Sequence, residues 1–133
     1  MKKSWHQYSK RAPVPERTGP DGFVYDSKTE MRRGLDLHIL QKAGEISDLK
    51  RQVKFPLEYC CSCGGITVMA GKLPAHYTAD FVYTEKGKRV IEDCKGYADE
   101  TSKLRIRVFE ALYGEKVVIM KYIRKVGWVG GYA

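Results

Sequence analysis

Residues 77–96 read YTADFVYTEKGKRVIEDCKG. Two apolar runs flank a Lys86-Gly87 pair, and each holds a carboxylate where a buried strand ordinarily avoids one: Asp80 in the first, Asp93 in the second, with Lys95 close behind. Side chains alternate faces along a strand. Ile91, Asp93 and Lys95 therefore share one face, with Val90, Glu92 and Cys94 on the other. In the first run, Thr78, Asp80 and Val82 share a face. If Lys86-Gly87 closes a two-residue hairpin, Val82 stands opposite Ile91, Asp80 opposite Asp93 and Thr78 opposite Lys95. A three-residue loop would shift that register by one.

Directly opposed residues bring their Cβ atoms to about 5 Å. Two carboxylates facing each other on a partly buried surface are unfavourable by themselves, so the pairing calls for compensation. Lys95 neutralises one charge, and a divalent cation between the aspartates would neutralise more. Hard carboxylate oxygens with open water positions suit Mg²⁺ or Mn²⁺. Such a centre fits phosphodiester hydrolysis. The ion polarises a phosphoryl oxygen and acidifies a water, and the lysine orients that water and offsets charge on the phosphate. The purely structural alternative is a half-exposed hairpin in which Asp80, Asp93 and Lys95 meet solvent.

Outward from the hairpin, Ser27-x-x-Glu30 fits a capping box, and Met31, Leu35 and Ile39 predict one apolar face of a helix ending at Gly44. The alternation from Ile46 to Phe55 predicts one strand or two with Pro56 near an end, CCSCGG a turn, and 66–70 a short strand before the loop AGKLP. A second helix is predicted from about Ser102 to Tyr113, capped by Thr101 or Ser102, with Leu104, Val108, Phe109 and Leu112 as its stripe and Gly114 as its stop. KVVIMKYI reads as a buried last strand and GWVGGYA as an irregular tail. Residues 1–26, polar with three prolines, read as a basic arm ahead of one domain over 27–133. The order predicts an α/β domain, a central mixed β-sheet flanked by helices.

The chain of 133 residues carries a net charge of +8. Its middle, 61–100, is slightly acidic between two basic flanks, which favours a polyanionic partner, nucleic acid before membrane. No apolar run approaches the roughly 20 residues that span a bilayer. The basic start lacks the apolar stretch of a signal peptide, so a cytoplasmic protein with reduced cysteines is expected.

The pattern A-Asp80-F … I-E-Asp93-C-Lys95-G resembles the signature of the PD-(D/E)XK nuclease superfamily, with Ala79 in place of the proline that often precedes the first acid. SKTEMRRGLDLHILQKAG resembles the opening helix of that superfamily, and the resemblance spans residues 27–123. It implies a restriction-endonuclease-like core. It also implies Asp80 and Asp93 as metal ligands with the Cys94 carbonyl, Lys95 as the catalytic lysine and Glu30 as the acid of the opening helix. Gln52 matches a polar position sometimes recruited near such sites, and Glu92 is left out because alternation turns it away. Within the superfamily the chain looks most like small phage-encoded Holliday junction resolvases. That implies a homodimer making paired nicks in branched DNA, in the bacterial host cytoplasm if phage-encoded. Nucleases for flaps, ends or other structures, and a non-catalytic nucleic-acid-binding protein, are the alternatives.

Lys103, Arg105 and Arg107 on the second helix could contact backbone phosphates, with Lys121, Arg124 and Lys125 adding to the basic C-terminal end. Lys2, Lys3, Lys10 and Arg11, interleaved with Trp5 and Tyr8, could wrap or stack on a branched substrate. Cys60-x-x-Cys63 with Cys61 resembles half of a zinc knuckle, and His76 or Cys94 would have to help complete four ligands. Without a second CxxC, structural Zn²⁺ is the weaker reading and core or turn cysteines the plainer one.

Overall fold

The computed structural model describes residues 12–59, 65–94 and 99–132. Helix α1 (Lys28–Lys42) leads into strand β1 (Ser47–Pro56). Four two-residue strands follow: β2 (Glu58–Tyr59), β3 (Ile66–Thr67), β4 (Met69–Ala70) and β5 (Leu73–Pro74). Then come β6 (His76–Glu85), β7 (Lys88–Cys94), α2 (Glu100–Tyr113), β8 (Val117–Ile123) and β9 (Gly127–Tyr132). The main sheet has the order β1-β6-β7-β8-β9. Its neighbours are antiparallel except β7 and β8, which run parallel and are joined through α2. A parallel pair needs such a crossover, and a helix is its usual form. This is the expected α/β architecture with a mixed sheet between helices.

Both helix starts are capped. Ser27 Oγ accepts from the Glu30 backbone N–H at 3.0 Å, as its motif predicts. On α2 the cap is Asp99, accepting from the Ser102 N–H at 2.7 Å, so the helix begins ahead of the expected Thr101 or Ser102. The buried faces also differ from the apolar stripes. On α1 the buried residues are Glu30, Gly34 and Leu37, whereas Ile39 is 65% exposed. On α2 they are Ile106 and Phe109, and Leu104 is 61% exposed. In α1 a glycine and a carboxylate, which a hydropathy stripe does not count, are buried, the glycine against the Tyr25 ring.

The sheet has two filled faces. Ile106 and Phe109 of α2 pack with Phe55, Tyr77, Ala79, Val82, Ile91, Val117 and Ile119. Leu37 of α1 packs with Tyr25, Ile46, Phe81 and Tyr83. Tyr25 comes from the lead-in, whose described part is folded: Arg17 donates to the Ala12 and Tyr25 carbonyls, and Thr18 bridges Val24. The tail expected to be irregular is a strand. β9 pairs with β8 from Ile123↔Gly127 to Val118↔Tyr132, after a turn with Lys125 at φ 78° and Gly127 at φ 96°. Its glycines hide a period-2 pattern from sequence inspection.

The hairpin closes on Lys86-Gly87 in the expected register, from Glu85↔Lys88 to Phe81↔Glu92. Strict alternation does not hold beyond it. Tyr77 and Ala79 belong to the α2-side cluster, yet Phe81 and Tyr83 belong to the α1-side cluster. Neighbouring β1 does the same: Val53 and Phe55 face α2, while Leu49 packs on the α1 side. Pairing is continuous in number, with Arg51↔Phe81 and Val53↔Ala79 on either side of Gln52 and Asp80. Gln52 has φ 51°, a left-handed conformation that costs a residue with a Cβ about 1–3 kcal/mol. Both strands thus exchange faces at the Gln52–Asp80 rung, and Thr78, Asp80 and Val82 do not form the single row expected of a regular strand.

The buried helix glycine offers a test. A Cβ on Gly34 would lie 2.5 Å from the Tyr25 hydroxyl and 2.7 Å from its ring. Helix propensity favours alanine there by about 1 kcal/mol, but overpacking against the buried Tyr25 opposes it by about 1–3 kcal/mol. Gly34→Ala is expected to lower the urea midpoint, and a rise would show that Tyr25 yields freely.

Candidate active site

Four elements deliver polar side chains to the face-exchange rung. Glu30 enters from the first turn of α1, Gln52 from β1, Asp80 from β6 and Asp93 from the end of β7. Gln52 Nε2 donates to Glu30 Oε1 at 2.6 Å and approaches Asp80 Oδ1 at 3.4 Å, so one amide stands between two carboxylates. Asp80 Oδ2 accepts the Cys94 backbone N–H at 2.8 Å. The β6–β7 ladder stops one rung short of Asp80 and Asp93, and the Asp80 carboxylate meets the β7 backbone just past it. Asp93 is buried, and its Oδ2 accepts from the Tyr77 hydroxyl at 2.9 Å.

Burial sets the electrostatics. Glu30 is pushed up to about 7, chiefly by burial; the Gln52 hydrogen bond and the Asp26 backbone amide oppose that, while the charges of Asp26 and Asp93 add to it. Tyr77 is driven upward by burial and then by Asp93 and Asp80, so it keeps its proton and remains a donor. Cys94 is likewise raised by burial, then by the charges of Asp80 and Glu92, so it is a neutral thiol. Packed partly against the α1-side core, it serves the centre through its backbone.

Beside Asp93 a recess of about 140 Å³ is lined by Tyr77, Thr78, Asp93, Ser102 and Arg105. Of the three cations picked out on α2, Arg105 reaches this recess. Lys103 pairs with Glu100 at 3.5 Å, and Arg107 lines a separate hollow with Glu110 and Lys116. Lys95 lies outside the described residues, as do Lys2, Lys3, Lys10, Arg11, Trp5 and Tyr8 and the zinc candidates Cys60, Cys61 and Cys63. His76, considered as their fourth partner, is exposed.

Glu92 does face away from Asp93. It is buried under α1, gripped by Arg33 through Nε–Oε2 at 2.9 Å and Nη2–Oε1 at 2.6 Å, and it accepts from the Tyr83 hydroxyl. This clamp ties α1, three residues past Glu30, to β7, one residue before Asp93. Sequence reasoning did not find Arg33 or Tyr77. Tyr77 carries a faint signal, since it stands on the same strand as Asp80 in an otherwise apolar row.

Among the described residues, no three histidine, cysteine or acidic side chains are grouped so that they could hold a metal ion. The donor chemistry still suits a hard cation. Glu30, Asp80 and Asp93 offer only oxygen, and Gln52 links the first two.

A family profile described as "Protein of unknown function (DUF1064)" matches residues 15–127. The chain belongs to the DUF1064 family. No curated protein and no solved structure matches it. The DUF1064 match encloses Glu30, Gln52, Tyr77, Asp80, Asp93 and Arg105, so the whole candidate centre lies within the family's own span. Among the described residues of this DUF1064 domain no helix is long and apolar enough to cross a membrane.

Two measurements probe these side chains. Glu30 binds its proton more tightly folded than unfolded, so its contribution is fully present below about pH 4.5 and is lost as pH rises toward 7. In metal-free buffer, Glu30→Gln is expected to gain stability relative to the parent across that window, by at most about 3 kcal/mol. A constant difference between the two melting curves would refute the shift. Arg33→Met leaves Glu92 buried without its countercharge and is expected to cost about 3–5 kcal/mol, while a double Arg33→Met, Glu92→Met variant recovers much of that. Additive losses in the denaturation cycle would mean that the two residues are not coupled.

Proposed function

We propose that this chain is a metal-dependent endonuclease hydrolysing DNA phosphodiesters at a centre of the PD-(D/E)XK type. The observation that carries the reading is the convergence of Glu30, Gln52, Asp80 and Asp93 at one rung. Taking carboxylates out of water is costly, and a buried acid with a raised pKa, as Glu30 is, belongs to the kind of group that clusters at functional sites. The order helix, strand, hairpin, helix, strand supports the same resemblance.

In this reading Asp80, Asp93 and Glu30, with the Cys94 carbonyl, would hold Mg²⁺ or Mn²⁺. The ion would polarise the phosphoryl oxygen and supply an acidified water. The remaining work falls to the chain's own groups. Tyr77 fixes one oxygen of Asp93 as a permanently protonated donor. Gln52 holds Glu30 toward Asp80. Arg105, exposed at the recess, is placed to take the charge of a backbone phosphate. Lys95, following Asp93 closely in sequence, orients the attacking water and offsets charge on the phosphate. The resemblance extends the proposal to four-way junctions, paired nicks and a homodimer. Flaps, ends and other DNA structures are the neighbouring substrates. A non-catalytic nucleic-acid-binding protein is the second reading, favoured by the lack of a ready-made metal cluster among the described residues.

The test is cleavage of a labelled four-way junction beside a linear duplex of the same arms, in Mg²⁺, Mn²⁺ and EDTA. The parent is expected to nick the junction only with metal, and Asp80→Asn, Asp93→Asn and Lys95→Ala are each expected to lose at least about a hundredfold in rate. Equal cutting of the duplex would remove the junction preference. Binding without cleavage in any metal would replace the enzyme with the binding protein.

A further inference from the structure

The strand that the sequence disguises builds a surface of its own. β8 and β9 pair with Tyr122 opposite Trp128 and Val118 opposite Tyr132. By alternation Tyr122, Trp128, Gly130 and Tyr132 share one face of this ribbon, the face bordered by α1. Two of the rings are held in place. Trp128 Nε1 donates to Asp36 Oδ2 at 2.7 Å, and the Arg33 guanidinium lies 5.4 Å from its ring centroid. Arg32 lies 4.4 Å from the Tyr122 centroid, and the Tyr122 and Trp128 rings meet edge to face at 5.3 Å.

The rings stay accessible: Tyr122 is 44% exposed and Tyr132 71%. On this face, Gly130 is the residue between Trp128 and Tyr132. A Cβ there would sit 3.1 Å from both Met120 Sδ and Val118 Cγ1, so the floor between the rings is low and apolar. Charge completes the pattern. Lys121, Arg124 and Lys125 are exposed on the ribbon and its turn, and no acidic residue occurs from Lys116 to the end of the sequence.

Oriented aromatic faces beside unopposed cations are what hold unpaired nucleotides, because every base offers a face to stack and every linkage a phosphate to neutralise. An intact duplex offers its phosphates but keeps its base faces covered. We propose that the β8–β9 ribbon is a binding surface for single-stranded DNA, with Tyr122 and Tyr132 stacking on bases and Lys121, Arg124 and Lys125 following the backbone. The inference rests on the reading of this chain as one that acts on DNA, but it requires neither metal nor cleavage. Its placement beside α1, which carries Glu30, fits a substrate with unpaired nucleotides next to the cut.

The test measures anisotropy of a labelled oligo-dT strand and of a duplex of equal length, in EDTA, with the full chain. The strand is expected to bind more tightly than the duplex. Tyr132→Ala and Tyr122→Ala should each weaken strand binding by about tenfold with little effect on the duplex. Tyr122→Phe, which keeps the ring, should bind as the parent does. Thermal melting of each variant separates lost binding from lost folding, and Tyr132, the more exposed ring, is the safer of the two. Equal losses on strand and duplex, or parental binding by both alanine variants, would overturn the stacking surface. Tighter binding of an oligo-rU strand would overturn its assignment to DNA. A parent dimer that Tyr132→Ala splits without changing strand affinity would instead make the open, uncharged β9 edge a contact between copies of the chain.

Discussion

Everything around the candidate centre depends on one backbone event: β1 and β6 exchange faces together at Gln52 and Asp80. In a regular sheet, Asp80 would project into one hydrophobic layer, with its carboxylate buried among core side chains. Here the rung falls between the two layers, with Ala79 packed toward α2 and Phe81 toward α1. Gln52 adopts a left-handed conformation for which glycine would be the easy choice. A glutamine in that place accepts backbone strain in return for an amide that reaches Glu30 and Asp80. Strain kept at a polar convergence is the pattern expected of a functional site.

The two adjacent acids of β7 show how one strand can hold carboxylates for different ends. Glu92 is neutralised by a two-pronged arginine and also accepts from the Tyr83 hydroxyl, and so is spent on joining α1 to the sheet. Asp93 meets a neutral phenol and opens onto a recess that also holds Arg105. The clamp is what lets an acid on a helix and an acid on a strand hold a fixed relation. Buried ion pairs are weak contributors to net stability, but removing one partner is severe. The pair therefore serves better as a register pin than as a source of stability.

Much of this was legible in the sequence. The Lys86-Gly87 turn, the length of both runs, the Ser27 cap and the order of elements follow from local chemistry that the fold leaves intact. Hairpin register also brings Asp80 and the end of β7 close together, since it needs no reference to the rest of the chain, whereas Glu30 is indicated by the resemblance alone and reaches Asp80 through Gln52. What was hidden depends on other parts of the molecule. Gly34 is buried because Tyr25 fills the space above it, and nothing near Gly34 in sequence says so. β9 is ordered by β8 and by Trp128 reaching Asp36, while its three glycines suggest a loose tail. The face exchange is invisible to any rule of alternation, because the number of residues between paired positions does not change across it.

The small hairpins between β1 and β6 carry a separate consequence. Their base is closed by backbone bonds from Leu57 N–H to the Ala75 carbonyl, from Val68 N–H to Leu57 and from Ala75 N–H to Val68. Leu57 and Ala75 are buried at that neck, whereas Ile66, Met69 and Leu73 stand in solvent beyond it. An excursion sealed at its root transmits little of what happens at its tip. The tip can therefore be lengthened, shortened or replaced while the rung at Gln52 and Asp80 stays where it is. It is the natural port for grafting a new module onto this scaffold.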